Sequence, residues 1–168
     1  MTAPDVLQVL DLLAAARVEV WLDGGWGVDA LLGEQTRDHN DLDIVLRHDD
    51  VDAFQRVLGA AEFRLVDGGT PQNFVVADAQ GREVDVHLVD PEVVTSDEHG
   101  VAVYGPRGLA YEVGALEGRG TVLGRPVACC TAEHQLTSHT GYKFDDDDVR
   151  DVMALHRRFG LPLPPPYR

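Results

Sequence analysis

The chain has 168 residues, of which 44% are hydrophobic, enough for one domain with a buried core. Its 14 Lys and Arg against 29 Asp and Glu give a formal net charge of -15, which disfavours nucleic-acid binding and attracts divalent metals and amine-bearing small molecules. The alternative, that acidity only aids solubility, stays open. No apolar run reaches the roughly 20 residues that span a bilayer, and the N-terminus lacks the basic region of a signal peptide. We therefore expect a cytoplasmic protein without membrane contact.

Hydrophobic periodicity and turn residues predict a mixed order of helices and strands. In chain order the predicted elements are a helix at 5–16, a strand at 18–22, a brief helix at 28–32, a strand at 41–46, a helix at 51–61, strands at 63–66, 73–77 and 83–89, a loop at 90–114 with a short strand at 101–104, a hairpin at 116–130, and helices at 131–139 and 146–159. This order predicts an α+β fold in which helices cover a small sheet. We expect a core at 1–130 and a C-terminal helical segment at 131–168 packed on the same domain.

The two cysteines, Cys129 and Cys130, are adjacent on a predicted strand. Neighbouring side chains on a strand point to opposite faces, so a disulfide between them is not expected. Two reduced thiols are consistent with a cytoplasmic location.

A glycine pair lies where the strand at 18–22 gives way to a helix. Gly24 and Gly25 would let backbone N–H groups approach a phosphate, and the following helix N-terminus favours an anion. This signal is weak alone, because a Gly-Gly sequence between a strand and a helix is usually only a turn.

Acidic residues alternate along two predicted strands. Asp41 and Asp43 share one face of the first strand, and His39 points the same way if the strand begins that early. Asp is a poor strand former, which favours a functional role over a solvated strand edge. Asp85 interrupts a second strand, and if the two strands are neighbours, three carboxylates meet and offer the oxygen ligands that Mg²⁺ prefers. Glu83 lies on the same face as Asp85, beside the predicted site.

The motifs resemble a known group of enzymes. Trp21-Leu22-Asp23-Gly24-Gly25-Trp26-Gly27-Val28-Asp29-Ala30-Leu31-Leu32-Gly33, followed by Thr36-Arg37-x-His39-x-Asp41-Leu42-Asp43, is similar to the lincosamide and aminoglycoside 2''-nucleotidyltransferases, which confer antibiotic resistance. The similarity extends to Glu83-Val84-Asp85-Val86-His87 and His139-Thr140-Gly141-Tyr142. The resemblance implies a polymerase-β-like nucleotidyltransferase fold, with a small mixed sheet flanked by helices and with C-terminal helices.

The resemblance also implies roles for the acidic residues. Asp41, Asp43 and Asp85 would be metal ligands and catalytic residues. Asp85 would also take the proton of the acceptor hydroxyl, with Glu83 as the alternative base.

Further roles concern the triphosphate. Gly24 and Gly25 match the triphosphate-binding turn, although many members of the wider superfamily have Gly-Ser there. Arg37 and His39 would contact phosphate oxygens. Lys143 is a further candidate contact from its charge alone, and a solvated lysine is at least as good an interpretation.

The implied reaction uses Mg²⁺, as two ions, and ATP or another nucleoside triphosphate. It transfers a nucleoside monophosphate to a hydroxyl of a small, cationic, amine-bearing antibiotic, a lincosamide or an aminoglycoside. The acidic run at 145–148 is a candidate lining for an amine pocket, although such runs usually begin a solvated helix. The alternatives are a toxin-like nucleotidyltransferase acting on a protein or tRNA and a catalytically silent nucleotide-binding module. No nucleic-acid partner is expected, and a homodimer is possible.

Overall fold

The computed structural model describes residues 1–70, 72–140 and 142–168. The helices are α1 (Ala3–Ala15), α2 (Gly24–Leu32), α3 (Val51–Ala60), α4 (Ala132–Ser138) and α5 (Asp146–Phe159). The strands are β1 (Val20–Leu22), β2 (Asp41–Arg47), β3 (Arg64–Thr70), β4 (Asn73–Ala77), β5 (Glu83–Val89), β6 (Val94–Ser96), β7 (Ala102–Tyr104), β8 (Gly118–Val122) and β9 (Arg125–Cys129). The predicted α+β fold is confirmed. None of the helices in the described ranges is long and apolar enough to cross a membrane.

Seven strands form one mixed sheet in the order β3-β4-β5-β2-β1-β9-β8. Its centre combines two parallel pairs, β2 with β5 and β1 with β9, around the antiparallel pair of β1 and β2. Strands β6 and β7 form a separate hairpin sheet. In a parallel pair, both strands begin at the same edge of the sheet. The two parallel pairs therefore bring residues that are distant in sequence together at one edge, where the site lies.

The main core lies between one face of this sheet and helices α1 and α3. Leu42, Ile44 and Leu46 of β2 point into it, as their alternation with acidic residues predicts. Phe54 and Leu58 of α3 cover them, spaced four residues apart on one helix face. The opposite face of β2 is thereby left to Asp41, Asp43 and Val45.

That opposite face is only partly covered by apolar side chains. A second cluster includes Trp21, Val45, Tyr111 and Cys130. A third cluster joins α2 to α4, α5 and the C-terminal tail through residues such as Val28 and Leu136. These contacts place α4 and α5 beside the start of α2, while the proposed division of the chain at residue 130 stays a prediction.

Three predicted elements differ from the structure, the first being the strand expected at 63–66, which runs from Arg64 to Thr70 as β3. Helix α2 begins at Gly24 and not at residue 28, because the amide of Gly27 already donates to the carbonyl of Asp23 at 2.8 Å. The glycine pair is therefore the first turn of the helix and not a break before it. The predicted loop at 90–114 also contains β6, whose three residues are all exposed and so lack the alternation that indicates a strand.

Candidate active site

The register of β2 and β5 defines the centre of the site. Asp43 lies directly opposite Asp85 in this parallel pair, and Val45 lies opposite His87. Ligand atoms of Asp43, Asp85 and His87 lie within 4.8 Å of one another. Asp41, opposite Glu83 at the start of the strands, is not part of this group.

The two central carboxylates lie close together, and one of their oxygens lacks a hydrogen bond within the described residues. Burial, followed by the negative charge of Asp41, raises the pKa of Asp43 from 3.8 to about 7. The Oδ1 atom of Asp85 is buried and accepts no hydrogen bond from any residue that the structure describes. Crowded carboxylates and an unpaired buried oxygen are the features that a bound cation would compensate.

His87 lies between two of the carboxylates. Its Nδ1 is 3.6 Å from Oδ2 of Asp23, and its Nε2 is 3.7 Å from Oδ1 of Asp85. Although burial opposes protonation, these two carboxylates raise the pKa of His87 from 6.5 to about 10. The imidazole is therefore a cation at neutral pH in the protein without metal.

Asp23 is a buried residue that sequence reasoning did not select for the site. It accepts hydrogen bonds from the hydroxyl of Tyr111 and from Nε2 of Gln135, each at 2.9 Å. Although burial opposes it, the hydrogen bond with His87 helps lower the pKa of Asp23 to about 2. The one available signal was its position, a single acidic residue at the end of a strand directly before two glycines.

Neighbouring side chains leave too little space for a Cβ at either glycine of the first α2 turn. Gly24 has a φ of +52°, and a Cβ there would lie 2.2 Å from Oδ2 of Asp43. At Gly25 a Cβ would lie 2.5 Å from Nδ1 of His39 and 2.6 Å from Nη2 of Arg37. The helix can therefore start against the Asp43 carboxylate only with these two residues. Binding of a triphosphate by this turn stays a prediction.

The two phosphate contacts predicted beside this turn have different surroundings. His39 is buried, stacks on Trp26 with ring centroids 4.6 Å apart, and hydrogen-bonds through Nε2 to Asp29. Arg37 donates from Nη2 to Asp151 at 2.9 Å and also borders the cleft. His39 thus holds the α2–β2 connection in place, whereas Arg37 lines the cleft while its guanidinium is paired with Asp151.

A cleft of about 300 Å³ opens above these groups. One side, which we call the sheet wall, comprises Asp23, Asp43 and His87, which line the cleft, together with Asp85, whose carboxylate lies within 4.8 Å of ligand atoms of Asp43 and His87. The other side, which we call the helical wall, comprises Ser138, His139, Tyr142 and Asp148. Tyr142 donates to Asp148 at 2.7 Å. Of the acidic run at 145–148, Asp148 thus faces the cleft, while Asp145 caps α5.

The last predicted contact and motif lie at the edge of this cleft. Lys143 is exposed and is not among the residues lining the cleft. Gly141, part of the motif at 139–142, lies outside the described residues. Glu83 is exposed at the start of β5. The structure therefore brings Asp43 and Arg37 to the cleft and sets Asp85 directly beside Asp43, whereas Asp41, Lys143 and Glu83 are not among the residues that line it.

Carboxylates on neighbouring strands that face the first turn of a helix, on a mixed sheet of this order, define a nucleotidyltransferase. The family model for aminoglycoside-2''-adenylyltransferase matches residues 5–155. The chain is 28% identical over 159 residues to a lincosamide resistance protein of Staphylococcus haemolyticus, covering 92% of this chain and 94% of that protein. It is 30% identical to a 2''-aminoglycoside nucleotidyltransferase of Escherichia coli, over 77% and 69% of the two chains.

Solved structures agree on the fold. The lincosamide adenylyltransferase LnuA, crystallised with lincomycin, superposes with a TM-score of 0.75 at 24% identity, over 92% of this chain and 96% of that one. ANT(2'')-Ia, in complex with adenylyl-2''-tobramycin, superposes with a TM-score of 0.70 at 17% identity, over 94% and 89%. The chain belongs to the aminoglycoside-2''-adenylyltransferase family, and it is an antibiotic nucleotidyltransferase by that membership.

Proposed function

We propose that the protein transfers AMP from ATP, with Mg²⁺, to a hydroxyl group of a small amine-bearing antibiotic. The observation that carries this proposal is the register of β2 and β5, which sets Asp43 beside Asp85 in front of the first turn of α2. A metal-binding pair of carboxylates then lies next to a helix N-terminus, where backbone N–H groups favour an anion. A triphosphate with its counter-ions needs both features in one place.

The residues present fit a divalent cation. Asp43 and Asp85, with Asp41 next to them on β2, offer the oxygen ligands that Mg²⁺ prefers. The raised pKa of Asp43 and the unpaired Oδ1 of Asp85 both support a cation between them. We propose two ions held by these three carboxylates. When bound, Mg²⁺ would neutralise the triphosphate and polarise its α-phosphorus.

The side chains around this centre would orient the substrates. The N–H groups of Gly24 and Gly25 would bind phosphate oxygens, and Arg37 would add a cation at the same end of the cleft. Asp85 would accept the proton of the attacking hydroxyl, in preference to the exposed Glu83. Most of the acceleration would come from positioning and electrostatic stabilisation.

The cleft supports a cationic acceptor, and the extent of the match to the lincosamide resistance protein favours a lincosamide first. Asp148 on the helical wall adds a carboxylate that an amine can pair with. The match to the lincosamide resistance protein extends over 92% of this chain, against 77% for the match to the aminoglycoside enzyme. An aminoglycoside acceptor and a homodimer that completes the pocket remain further parts of the proposal.

The test is pyrophosphate release from ATP and Mg²⁺ with a panel of lincomycin, clindamycin and several aminoglycosides. We expect acceptor-dependent release, largest with a lincosamide. D43N should lower it by about 100- to 1,000-fold with an unchanged circular dichroism spectrum, because a group that stabilises transition-state charge is lost. E83Q, on the same face of the sheet, should stay within about threefold of the wild type. Retained turnover in D43N, or release without any acceptor dependence, would contradict the proposal.

A further inference from the structure

We propose that Asp23, Cys130 and His134 form a second metal site, which binds a transition ion of the Zn²⁺ type and not Mg²⁺. A carboxylate oxygen, a thiol sulfur and an imidazole nitrogen of these residues lie within 4.8 Å of one another. The group shares no residue with the cluster of Asp43, Asp85 and His87. The proposal goes beyond the transfer reaction and does not rest on it.

The fold brings these three side chains together from distant parts of the sequence. Strands β1 and β9 pair in parallel with Leu22 opposite Cys129, so the next residues, Asp23 and Cys130, leave the sheet at the same edge. The amide of Cys130 donates to the carbonyl of Leu22 at 2.9 Å and fixes this arrangement. His134 follows in the first turn of α4 and stacks on Tyr111 with ring centroids 4.7 Å apart.

The donor set determines which ions fit. Thiolate and imidazole ligands suit Zn²⁺ and Co²⁺, whereas Mg²⁺ requires a nearly complete oxygen shell. Three protein ligands with one open position is a common arrangement for Zn²⁺. The site would therefore select against the ion that the neighbouring carboxylates prefer.

Gln135 supplies an independent observation. Its side chain is fully buried, and its Nε2 donates to Asp23, yet its Oε1 has no hydrogen-bond partner in the part of the chain that the structure describes. The bond from Nε2 to Oδ1 of Asp23, at 2.9 Å, orients the carboxylate that would bind the ion.

The thiol of Cys130 lies beside the Asp23 carboxylate, with sulfur and oxygen within 4.8 Å. Burial and the Asp23 carboxylate both raise the pKa of Cys130, so the sulfur keeps its proton. Binding of the ion forms a metal–sulfur bond and releases this proton to solvent. Cys129 is the natural comparison, because it is also buried but points into the main core on the other face of the sheet.

The test is titration of the full-length, reduced protein with Co²⁺ in the presence of excess Mg²⁺. We expect near-ultraviolet thiolate-to-Co²⁺ charge-transfer absorption that saturates at one equivalent and disappears when Zn²⁺ is added. C130S should lose this absorption, whereas C129S should keep it. D43N should also keep it, because Asp43 belongs to the other cluster.

A C130S protein that fails to fold would give no answer about metal binding, because Cys130 is buried. The second test is therefore H134Q, which changes a half-buried helical position. It should weaken Co²⁺ binding at least about tenfold while the circular dichroism spectrum is unchanged. Absence of the charge-transfer band in the wild type, its survival in C130S, or unchanged affinity in H134Q would overturn the proposal. Because the readout is absorption and not turnover, this outcome is independent of whether the transfer reaction is found.

Discussion

The two walls of the cleft are held in place by different means. The sheet wall is fixed by backbone pairing, since Asp43 and Asp85 sit at matched positions of two central strands. The helical wall is fixed by side chains, including the bond from Tyr142 to Asp148 and that from the Tyr167 hydroxyl to the carbonyl of His139. The carboxylates of Asp43 and Asp85 therefore stand on the part of the fold that backbone pairing fixes, and small displacements there would cost most in catalysis.

The largest effect should come from a Cβ on the sheet wall. G24A places a methyl group against the Asp43 carboxylate at a positive φ. We expect a loss of about 1–3 kcal/mol in the free energy of unfolding and at least about a 100-fold loss of pyrophosphate release. G59A is the matched control: Gly59 lies in α3 with nothing within 4 Å of an added Cβ, so this change should stabilise by about 0.5–1 kcal/mol. Equal effects of the two variants in denaturant unfolding would contradict the contrast.

A smaller effect is expected from the positive charge of His87 on the same wall. The pKa of His87 is about 10 in the folded protein and 6.5 ordinarily, so its stabilising contribution is complete below pH 6.5 and is lost as the pH rises through 10. The raised pKa of Asp43 acts in the same direction between pH 3.8 and about 7.

In the metal-free protein, the free energy of unfolding should therefore fall between pH 7 and 9, by about 2.5 kcal/mol from His87. H87Q, which cannot be protonated, should show a shallower fall in chemical denaturation over the same range. Identical slopes for wild type and H87Q would show that this imidazole is not held as a cation.

The smallest effect is expected on the helical wall. Y167F removes the hydrogen bond to His139 but keeps the ring that stacks on Phe144. Loss of one such bond should raise the KM of at least one substrate by about 3–10-fold, with kcat changed less than twofold. Y104F removes a comparable bond from the Gly114 amide, outside the residues that line the cleft, and should leave both KM values unchanged. A loss of kcat in Y167F as large as that in G24A would contradict the expectation that the two walls contribute differently to catalysis.

The difference between local patterns and long-range contacts explains which features the sequence could predict. The alternation in β2 correctly placed Leu42, Ile44 and Leu46 in the core and the carboxylates of Asp41 and Asp43 on the other face. The strands at 73–77 and 83–89 and the last helix were predicted with their observed bounds. These elements carry strong local patterns, and local patterns need no knowledge of the partner.

The features that the sequence could not predict depend on contacts between residues that are distant in sequence. The pairing of β2 with β5 was a condition of the prediction and not a result of it, because parallel register is set by tertiary packing. Asp23 was missed since its partners, Tyr111 and Gln135, are 88 and 112 residues away. The exposed strand β6 carries no burial signal at all.

One consequence follows from the ion pair between Arg37 and Asp151. It joins the connection before β2 to the middle of α5, 114 residues later, and Asp151 is only 1% exposed. A chimera that kept the first part of this chain and took its last helix from a relative without an acid at this place would leave the half-buried guanidinium of Arg37 without its main counter-charge. Exchange of tails between such enzymes, in the laboratory or by recombination, is thus restricted to donors that carry the matching acid.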